Sequence, residues 1–328
     1  MTRRAGNERL LRESALATEG RRWLQRLLKQ TSLTVFFEDY WERKHLFIPV
    51  LGRENYGDLL SLRELDAFFS RNDVRYPAVQ VIENGRNLPL DRFARQVKIG
   101  SYHSDGLIDM DLVAEAYRKG ATVLVQLMQN SFVGLAEFSE AIGSFIRGKI
   151  DVHAFLTPPN SQGLTALYDA ASAFLIQWRG TKRWRLYELQ VEAPGSNQTF
   201  GTNRTIKGNV VDEITLQPGD VLYLPRGLPH EGMTVGTESL HLTVVLFPKS
   251  WLDILSAILK ECQKSEPFRM ATSAIVTNSL ANPHVAETWN NLVQQFTSRA
   301  TNGDWQEFVD VPHVISPRSR HGRWTQMR

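Results

Sequence analysis

A histidine in the second half of the chain follows a short run that is expected to be a β-strand. His230 lies in the segment PGDVLYLPRGLPHEG, residues 218–232, in which a β-rich run ends on a Pro/Gly turn. A histidine at the end of a barrel strand points into the barrel mouth, where its imidazole can bind a metal ion. The spacing alone leaves open a surface histidine or one that is only hydrogen-bonded.

Two charged groups upstream have the chemistry to complete such a site. Asp169 lies two residues beyond Leu167, and side chains two apart in a strand share a face. Lys182 lies on the next strand-like run, and a lysine near a barrel interior is costly unless it meets an anion. Lys182 therefore indicates an acidic ligand, with an exposed strand charge as the alternative, because three arginines surround it in the sequence.

The elements that position these residues follow from hydrophobic periodicity. Helical spacing predicts a basic N-terminal helix within residues 1–30, a second helix capped by Thr31 or Ser32, and a third with Ser61 and Glu64 as a capping box. A strand ends on the hairpin signal Asn84-Gly85. Further on, a helix ended by Gly120, a strand from Thr122 to Leu127 and a helix over about 134–146 are predicted. Short strands between Pro and Gly then dominate to Pro248, and helices return after it.

Composition and charge exclude several classes of protein. The 328 residues are 42% hydrophobic and 22% charged, as in ordinary globular proteins. A single cysteine, Cys262, rules out an internal disulfide framework, and no long apolar run or signal segment is evident, so we expect a cytoplasmic protein without membrane spans. The basic residues concentrate in residues 1–30 and in the tail 311–328, where a solvated tail is a better interpretation than nucleic-acid binding.

Four blocks in family order resemble the JmjC-type cupins of the ribosomal oxygenase group, which are iron(II)- and 2-oxoglutarate-dependent hydroxylases. They are FFEDYWERKHLFI, FLTPPNSQG, GTKRWRLYE and GDVLYLPRGLPHE, spread over about residues 25–255. The resemblance implies an α+β fold with a mainly β core, a double-stranded β-helix of the cupin or jelly-roll type. It also implies that Asp169 and His230 are metal ligands and that Lys182 binds the distal carboxylate of 2-oxoglutarate.

The first metal ligand of the family's His-x-Asp motif is missing. Leu167 stands there, in LYD, and a leucine cannot donate to a metal ion. His153 is the leading candidate for a replacement ligand, although a buried, hydrogen-bonded histidine is equally compatible with its position. His241, in SLHLTVV, is a weaker candidate with a structural role as the better interpretation, and Tyr168 lies near the site.

Three functional hypotheses remain open on these residues. The first is an Fe(II)/2-oxoglutarate-dependent oxygenase with an altered ligand set, which hydroxylates a side chain of a peptide or protein. The second is an inactive cupin that binds a peptide or protein partner, because loss of an imidazole weakens metal binding. The third, a cupin that uses another metal, has no positive support in the sequence.

The expected domain organisation follows from the same resemblance. We expect a basic helix over residues 1–30, a JmjC/cupin domain with its helical flank over 31–250, a helical dimerisation region over 251–310 and a basic tail over 311–328. The apolar face that begins at Trp251 is too broad for a solvated helix. In the family such a region forms homodimers, which we therefore expect here.

Overall fold

The structure is a computed structural model that describes residues 2–50, 56–71, 73–195, 198, 200, 206, 208–270 and 283–301; side chains at 2–14, 99, 102, 104 and 283–286 are not described. These residues form two compact units. The larger contains residues up to 145 and 149–247, and the smaller contains residues 146–148 and those that follow 247. The predicted basic tail, 311–328, lies outside the described residues.

Five helices lie before or between the first strands, and three follow the last strand in the described residues. They are α1 Thr2–Leu28, α2 Leu33–Val35, α3 Leu62–Phe69, α4 Met110–Arg118, α5 Val133–Ile146, α6 Trp251–Cys262, α7 Glu266–Arg269 and α8 Pro283–Thr301. Ser32 caps the N-terminus of α2, where its side chain accepts a hydrogen bond from the Val35 amide. A π-helical turn, Phe36–Tyr40, directly continues α2. The capping box of Ser61 and Glu64 on α3 is confirmed.

The strands carry the core of the larger unit. They are β1 Leu46–Ile48, β2 Val79–Glu83, β3 Arg86–Asn87, β4 Ala94–Ile99, β5 Tyr102–Ile108, β6 Thr122–Val125, β7 Gly148–Thr157, β8 Ser172–Tyr187, β9 Val210–Leu216, β10 Val221–Leu224 and β11 His230–Pro248. One sheet has the order β1-β10-β8-β11-β7-β6-β2-β3, with β9 also paired to β8, and β4 and β5 form a separate hairpin.

The two longest strands, β8 and β11, organise this sheet. The first half of β8 pairs with β10 on one side and with the second half of β11 on the other. Its second half pairs with β9 and with the first half of β11. The apolar side chains enclosed there form a core cluster of Leu175, Trp184, Leu186, Ile214, Leu216, Leu222, Leu224 and Leu228. This arrangement is the predicted strand-rich core with helices before it.

The sequence predictions differ from the structure in a few places. The turn at Asn84-Gly85 joins β2 to β3 as predicted, with both residues at positive φ. The sequence predicts short strands up to Pro248. Two of the observed strands, β8 and β11, are long instead, because bulges let the chain bend without breaking the ladder of backbone hydrogen bonds. The β4–β5 hairpin and β9 were not predicted, since their residues do not alternate cleanly between apolar and polar.

The smaller unit contains α6 and α8, which contact each other. One side of α6 buries Ile254, Ile258 and Cys262. The opposite side leaves four large apolar side chains exposed to solvent, Trp251, Leu252, Leu255 and Leu259. The helices predicted after Pro248 are confirmed, whereas the structure of this single chain does not address dimerisation.

A bulge glycine in β8 is expected to be essential for the long strand. Gly180 has φ +63°, and a Cβ there would lie 1.7 Å from the Glu238 carbonyl oxygen of β11. Gly180→Ala should lower the free energy of unfolding by about 3 kcal/mol, since backbone strain and a clash combine. Gly236→Ala is the matched control, because φ is +72° but nothing lies within 4 Å of the added Cβ. It should cost only about 1 kcal/mol in urea denaturation, and equal losses would refute the role of the contact.

Candidate functional site

The site lies in a pocket of the larger unit with a volume of about 470 Å³. Its walls come from β7, β8, β11 and the segment between β7 and β8. Aliphatic and aromatic side chains dominate the lining: Leu124, Phe155, Leu164, Leu167, Leu175, Trp184, Val245 and Phe247. The chemically active groups are few, as is usual for binding pockets. They include Asp169, Lys182, His230, His153 and His241, so all the predicted site residues except Tyr168 line one cavity.

Lys182 is the most unusual group in this pocket. Its side chain is only 3% exposed, and its ammonium donates one hydrogen bond, 3.1 Å long, to Oγ1 of Thr157. No acidic side chain among the described residues lies within ion-pair distance of it. Burial lowers the pKa of Lys182 to about 7, because the charged form loses its hydration without gaining an anion.

The surroundings of Lys182 hold its side chain in place. Its ammonium lies 5.3 Å from the centre of the Trp184 ring. Gly232 on β11 pairs with Trp184, and a Cβ there would come within 2.8 Å of Cε of Lys182 and 3.0 Å of the indole. Only glycine therefore leaves room for this lysine between the strands.

Asp169 and His230 lie next to each other at the pocket. Nε2 of His230 is 3.8 Å from Oδ2 of Asp169, and the carboxylate is 54% exposed. Nδ1 of His230 is 3.0 Å from the Leu228 carbonyl oxygen. A carbonyl only accepts, so this contact places the proton on Nδ1 and leaves the lone pair of Nε2 directed away from it. An imidazole so anchored is a prepared metal ligand.

Leu167 forms a backbone bridge with His230. The Leu167 amide donates to the His230 carbonyl at 3.1 Å, and the His230 amide donates to the Leu167 carbonyl at 2.9 Å. Both side chains line the pocket together with Asp169. The position of the missing ligand is therefore beside the two remaining ligands, and an aliphatic side chain occupies it. Tyr168, which lies between Leu167 and Asp169 in the sequence, is buried against Phe200 and does not line the pocket.

His153 lines the same pocket but is oriented for a different role. Its Nδ1 accepts a hydrogen bond from the Leu127 amide at 3.4 Å. In the neutral ring the proton then lies on Nε2, which has no lone pair for a metal. Burial lowers the pKa of His153, so the neutral form is favoured. Ligation by His153 requires release of the Leu127 contact or a change of tautomer.

His241 is buried at the pocket wall, with 1% of its surface exposed. Its ring stacks on Phe155 with centroids 5.0 Å apart and an interplanar angle of 5°. Trp184 meets it edge to face at 5.2 Å. Burial lowers its pKa well below the usual value, and the charges of Lys182 and His230 add to this effect. The expected structural role fits the stacking, but Nδ1 has no hydrogen-bond partner among the described residues.

The donors present fit a metal ion only in part. One carboxylate and one imidazole are adjacent, but within the described parts of the chain no three His, Cys, Asp or Glu side chains are grouped closely enough to hold a metal. The fit to an acidic organic ligand is better, because Lys182 is buried and none of the described acidic side chains forms an ion pair with it. Sequence reasoning missed Thr157, Trp184 and Gly232, whose roles depend on the pairing of distant strands.

The fold is that of the JmjC-type cupins. Residues 126–254, which include Asp169, Lys182 and His230, match the family described as JmjC domain. The chain is also similar to E. coli ycfD, with a TM-score of 0.55 and 16% identity over 85% of this chain and 70% of that one. A second structure of that ribosomal oxygenase, in complex with cobalt and 2-oxoglutarate, matches with a TM-score of 0.53, 16% identity and coverage of 87% and 72%. These structures support the predicted double-stranded β-helix.

Relatives in sequence cover most of this chain. The protein named bifunctional lysine-specific demethylase and histidyl-hydroxylase NO66 from Drosophila erecta is 30% identical over 246 residues, 74% of this chain and 36% of the relative. The Aedes aegypti protein of the same name is 30% identical over 240 residues, 72% of this chain and 36% of the relative. The chain thus spans about a third of the length of these relatives. Residues 126–254 match the domain family that the resemblance predicted, and the similarity to ycfD extends the agreement to the fold.

Replacement of Lys182 by methionine should change how stability depends on pH. The folded pKa of about 7 lies below the ordinary 10.5, so the unfolded chain binds more protons between these values and the native state gains stability as pH rises. Lys182→Met removes this penalty. It should be more stable than the wild type at pH 6, by at most about 5 kcal/mol, with the gain vanishing near pH 10.

Urea denaturation at several pH values measures this difference. Lys149→Met is the control, because that ammonium is half-exposed and pairs with Asp151. A gain for Lys182→Met that does not vary with pH would contradict the assignment of a buried, unpaired ammonium.

Proposed function

We propose that the chain is an Fe(II)- and 2-oxoglutarate-dependent oxygenase that hydroxylates a side chain of a peptide or protein. The observation that carries this proposal is the buried ammonium of Lys182, which lies in one pocket with Asp169 and His230 and forms no ion pair with the acidic side chains that the structure describes. A buried cation of this kind is stabilised when an acidic ligand enters. The JmjC match and the relatives named as hydroxylases support the same reaction class.

Each group has a distinct role in this proposal. Asp169 and His230 would hold iron, and the third protein position would be taken by His153 after a change of tautomer or left to water. Lys182 would bind the distal carboxylate of 2-oxoglutarate. The iron, when bound with 2-oxoglutarate and dioxygen, supplies the oxidising chemistry. The protein orients His230 through Leu228 and excludes water with the aliphatic and aromatic walls of the pocket.

Several features of the whole protein are part of the proposal. Relatives named as demethylase and histidyl-hydroxylase support a protein substrate. The exposed apolar side chains of α6 support a homodimer. No helix among the described residues is long and apolar enough to cross a membrane. A cytoplasmic location and the domain boundaries at residues 31–250 and 251–310 stay predictions.

A second candidate function is a catalytically inactive cupin that binds a peptide or protein. It is favoured by Leu167, which occupies the position of a ligand beside Asp169 and His230, and by the lack of a three-ligand group in the described residues. Two ligands leave the coordination geometry less fixed and the metal affinity lower. The two candidates differ in whether the pocket still binds iron.

An anaerobic titration of the metal-free protein with iron(II) and 2-oxoglutarate tests the proposal. An oxygenase should develop the visible charge-transfer band of a keto acid chelated to iron, because both ligands must bind together. His153→Ala should abolish the band without loss of the folded circular-dichroism spectrum if His153 is the third ligand. A band that His153→Ala leaves unchanged would remove His153 from the ligand set. No band, together with calorimetry that detects no iron, would contradict the oxygenase and favour the inactive cupin.

Restoration of the missing imidazole should increase metal affinity. Leu167→His places a third donor beside Asp169 and His230, and we expect at least a tenfold gain in iron or cobalt affinity, since even the residues that only orient a ligand change metal affinity by about 10–100-fold. Calorimetry or cobalt absorption measures the gain. Leu164→His is the matched control, because Leu164 lines the same pocket but lacks the backbone bridge to His230. An equal gain in both variants would show that any added histidine suffices.

A further inference from the structure

The turn between β10 and β11, residues 225–229, contacts both predicted metal ligands through its backbone. The Gly227 amide donates a hydrogen bond to the Asp169 carbonyl oxygen at 2.9 Å. The carbonyl oxygen of the next residue, Leu228, lies 3.0 Å from Nδ1 of His230. The turn therefore fixes the backbone at Asp169 and the ring orientation of His230, and such contacts decide how well ligands are presented to a metal.

The side chain of Arg226 anchors this turn to a distant part of the chain. Nη2 donates to Oε2 of Glu42 at 2.6 Å, and Nη1 donates to the Pro194 carbonyl oxygen at 3.2 Å. The two charged side chains are only 21% and 24% exposed, so salt screens this pair less than a surface pair. Glu42 belongs to the block FFEDYWERKHLFI and Arg226 to the block GDVLYLPRGLPHE, which the ion pair thus joins.

A chain of hydrogen bonds makes a second connection between the same two residues. The Glu42 amide donates to the Tyr223 hydroxyl at 3.0 Å, and this hydroxyl donates to Oγ of Ser172 at 3.4 Å. The Arg226 amide donates to the same Oγ at 3.2 Å. Tyr223 and Ser172 are buried, and Ser172 begins β8 shortly after Asp169. A buried network that closes on itself in this way makes its members rigid.

Stability alone does not explain the ion pair of Glu42 and Arg226. Oε1 of Glu42 and Nε of Arg226 are buried and have no hydrogen-bond partner among the described residues. Desolvation offsets much of the attraction in such a pair, and apolar side chains of similar volume often stabilise a fold as well or better. The geometry that the pair imposes on the turn is therefore the better explanation for it.

We propose that Glu42 and Arg226 are positioning residues that fix the distance between Asp169 and His230. Neither Glu42 nor Arg226 lines the pocket, so both act through the turn at residues 225–229. The inference rests on the proposed function for the metal ion. It adds that an ion pair outside the pocket controls how strongly the pocket binds that ion.

Cobalt(II) absorption titrations of the full chain measure this control. Glu42→Gln removes the charge at nearly constant volume and should lower cobalt affinity about tenfold, since residues that only orient a ligand change metal affinity by about 10–100-fold. Arg226→Met should have a similar effect. The double variant should lose no more than the weaker-binding single variant, because both changes break one contact. Arg226→Lys keeps the charge and should recover part of the affinity.

The matched control is an ion pair in another part of the larger unit. Asp58 pairs with Arg26 and also joins segments that are distant in the sequence, but neither residue lines the pocket of Asp169 and His230. Asp58→Asn should therefore leave cobalt affinity unchanged. Urea denaturation of each variant measures its stability, and if Glu42→Gln does not fold, Arg226→Lys takes its place in the test.

Nuclear magnetic resonance of the metal-free protein gives a measurement that a general loss of stability would not change. With ¹⁵N-labelled histidine at constant pH, the wild type should carry the ring proton of His230 on Nδ1, as the contact with Leu228 requires. Glu42→Gln should give a mixture of tautomers, because the turn is then free to move the carbonyl. The spectrum of His230→Gln assigns the resonances.

The outcomes separate this inference from the proposed function. Wild-type cobalt affinity and an unchanged tautomer of His230 in Glu42→Gln would overturn the positioning role. Equal losses of affinity in Glu42→Gln and Asp58→Asn would overturn it as well, since stability would then account for both. If the wild type binds no cobalt, the oxygenase is contradicted, and the tautomer of His230 in Glu42→Gln decides the positioning role by itself.

Discussion

The buried ammonium of Lys182 is the constraint on which the pocket depends. A lysine removed from water must be neutral, paired with an anion, or compensated by other parts of the fold. Here one threonine hydroxyl is its hydrogen-bond partner, and burial lowers its pKa to about 7. The burial of Lys182 therefore carries a cost that an acidic ligand can relieve.

The long strands β8 and β11 make this arrangement possible. Lys182 and Trp184 lie just past the bulge at Gly180. Gly232, which pairs with Trp184, has no side chain to displace the lysine. The same pair of strands carries His230 at one end and His241 beyond the second bulge. The distances within the site are thus set by backbone hydrogen bonds, which makes the site more rigid than one built on loops.

Local sequence signals predicted most of the elements but not their pairing. Asn84-Gly85 and the Ser61 cap act through neighbouring residues, so their structures could be read from the sequence. The resemblance of four blocks identified Asp169, His230 and Lys182, which the structure brings into one cavity. The tautomer of His153 could not be predicted, because it depends on a hydrogen bond from the Leu127 amide, which follows strand β6. The packing of the His241 ring could likewise not be predicted, because it depends on contacts with Phe155 and Trp184 on other strands.

Leu167 changes the chemistry of the site more than the loss of one ligand suggests. Its side chain adds apolar surface beside Asp169 and His230, and Ala170 and Ala171 extend this surface. An apolar wall lowers the local dielectric, which strengthens the interaction of any bound cation with Asp169 but also raises the cost of bringing that cation from water. A carboxylate bound at Lys182 would not require this transfer of a cation from water, since the Lys182 ammonium is part of the protein. A loss of metal affinity through Leu167 therefore need not lower the affinity of the Lys182 ammonium for an acidic ligand.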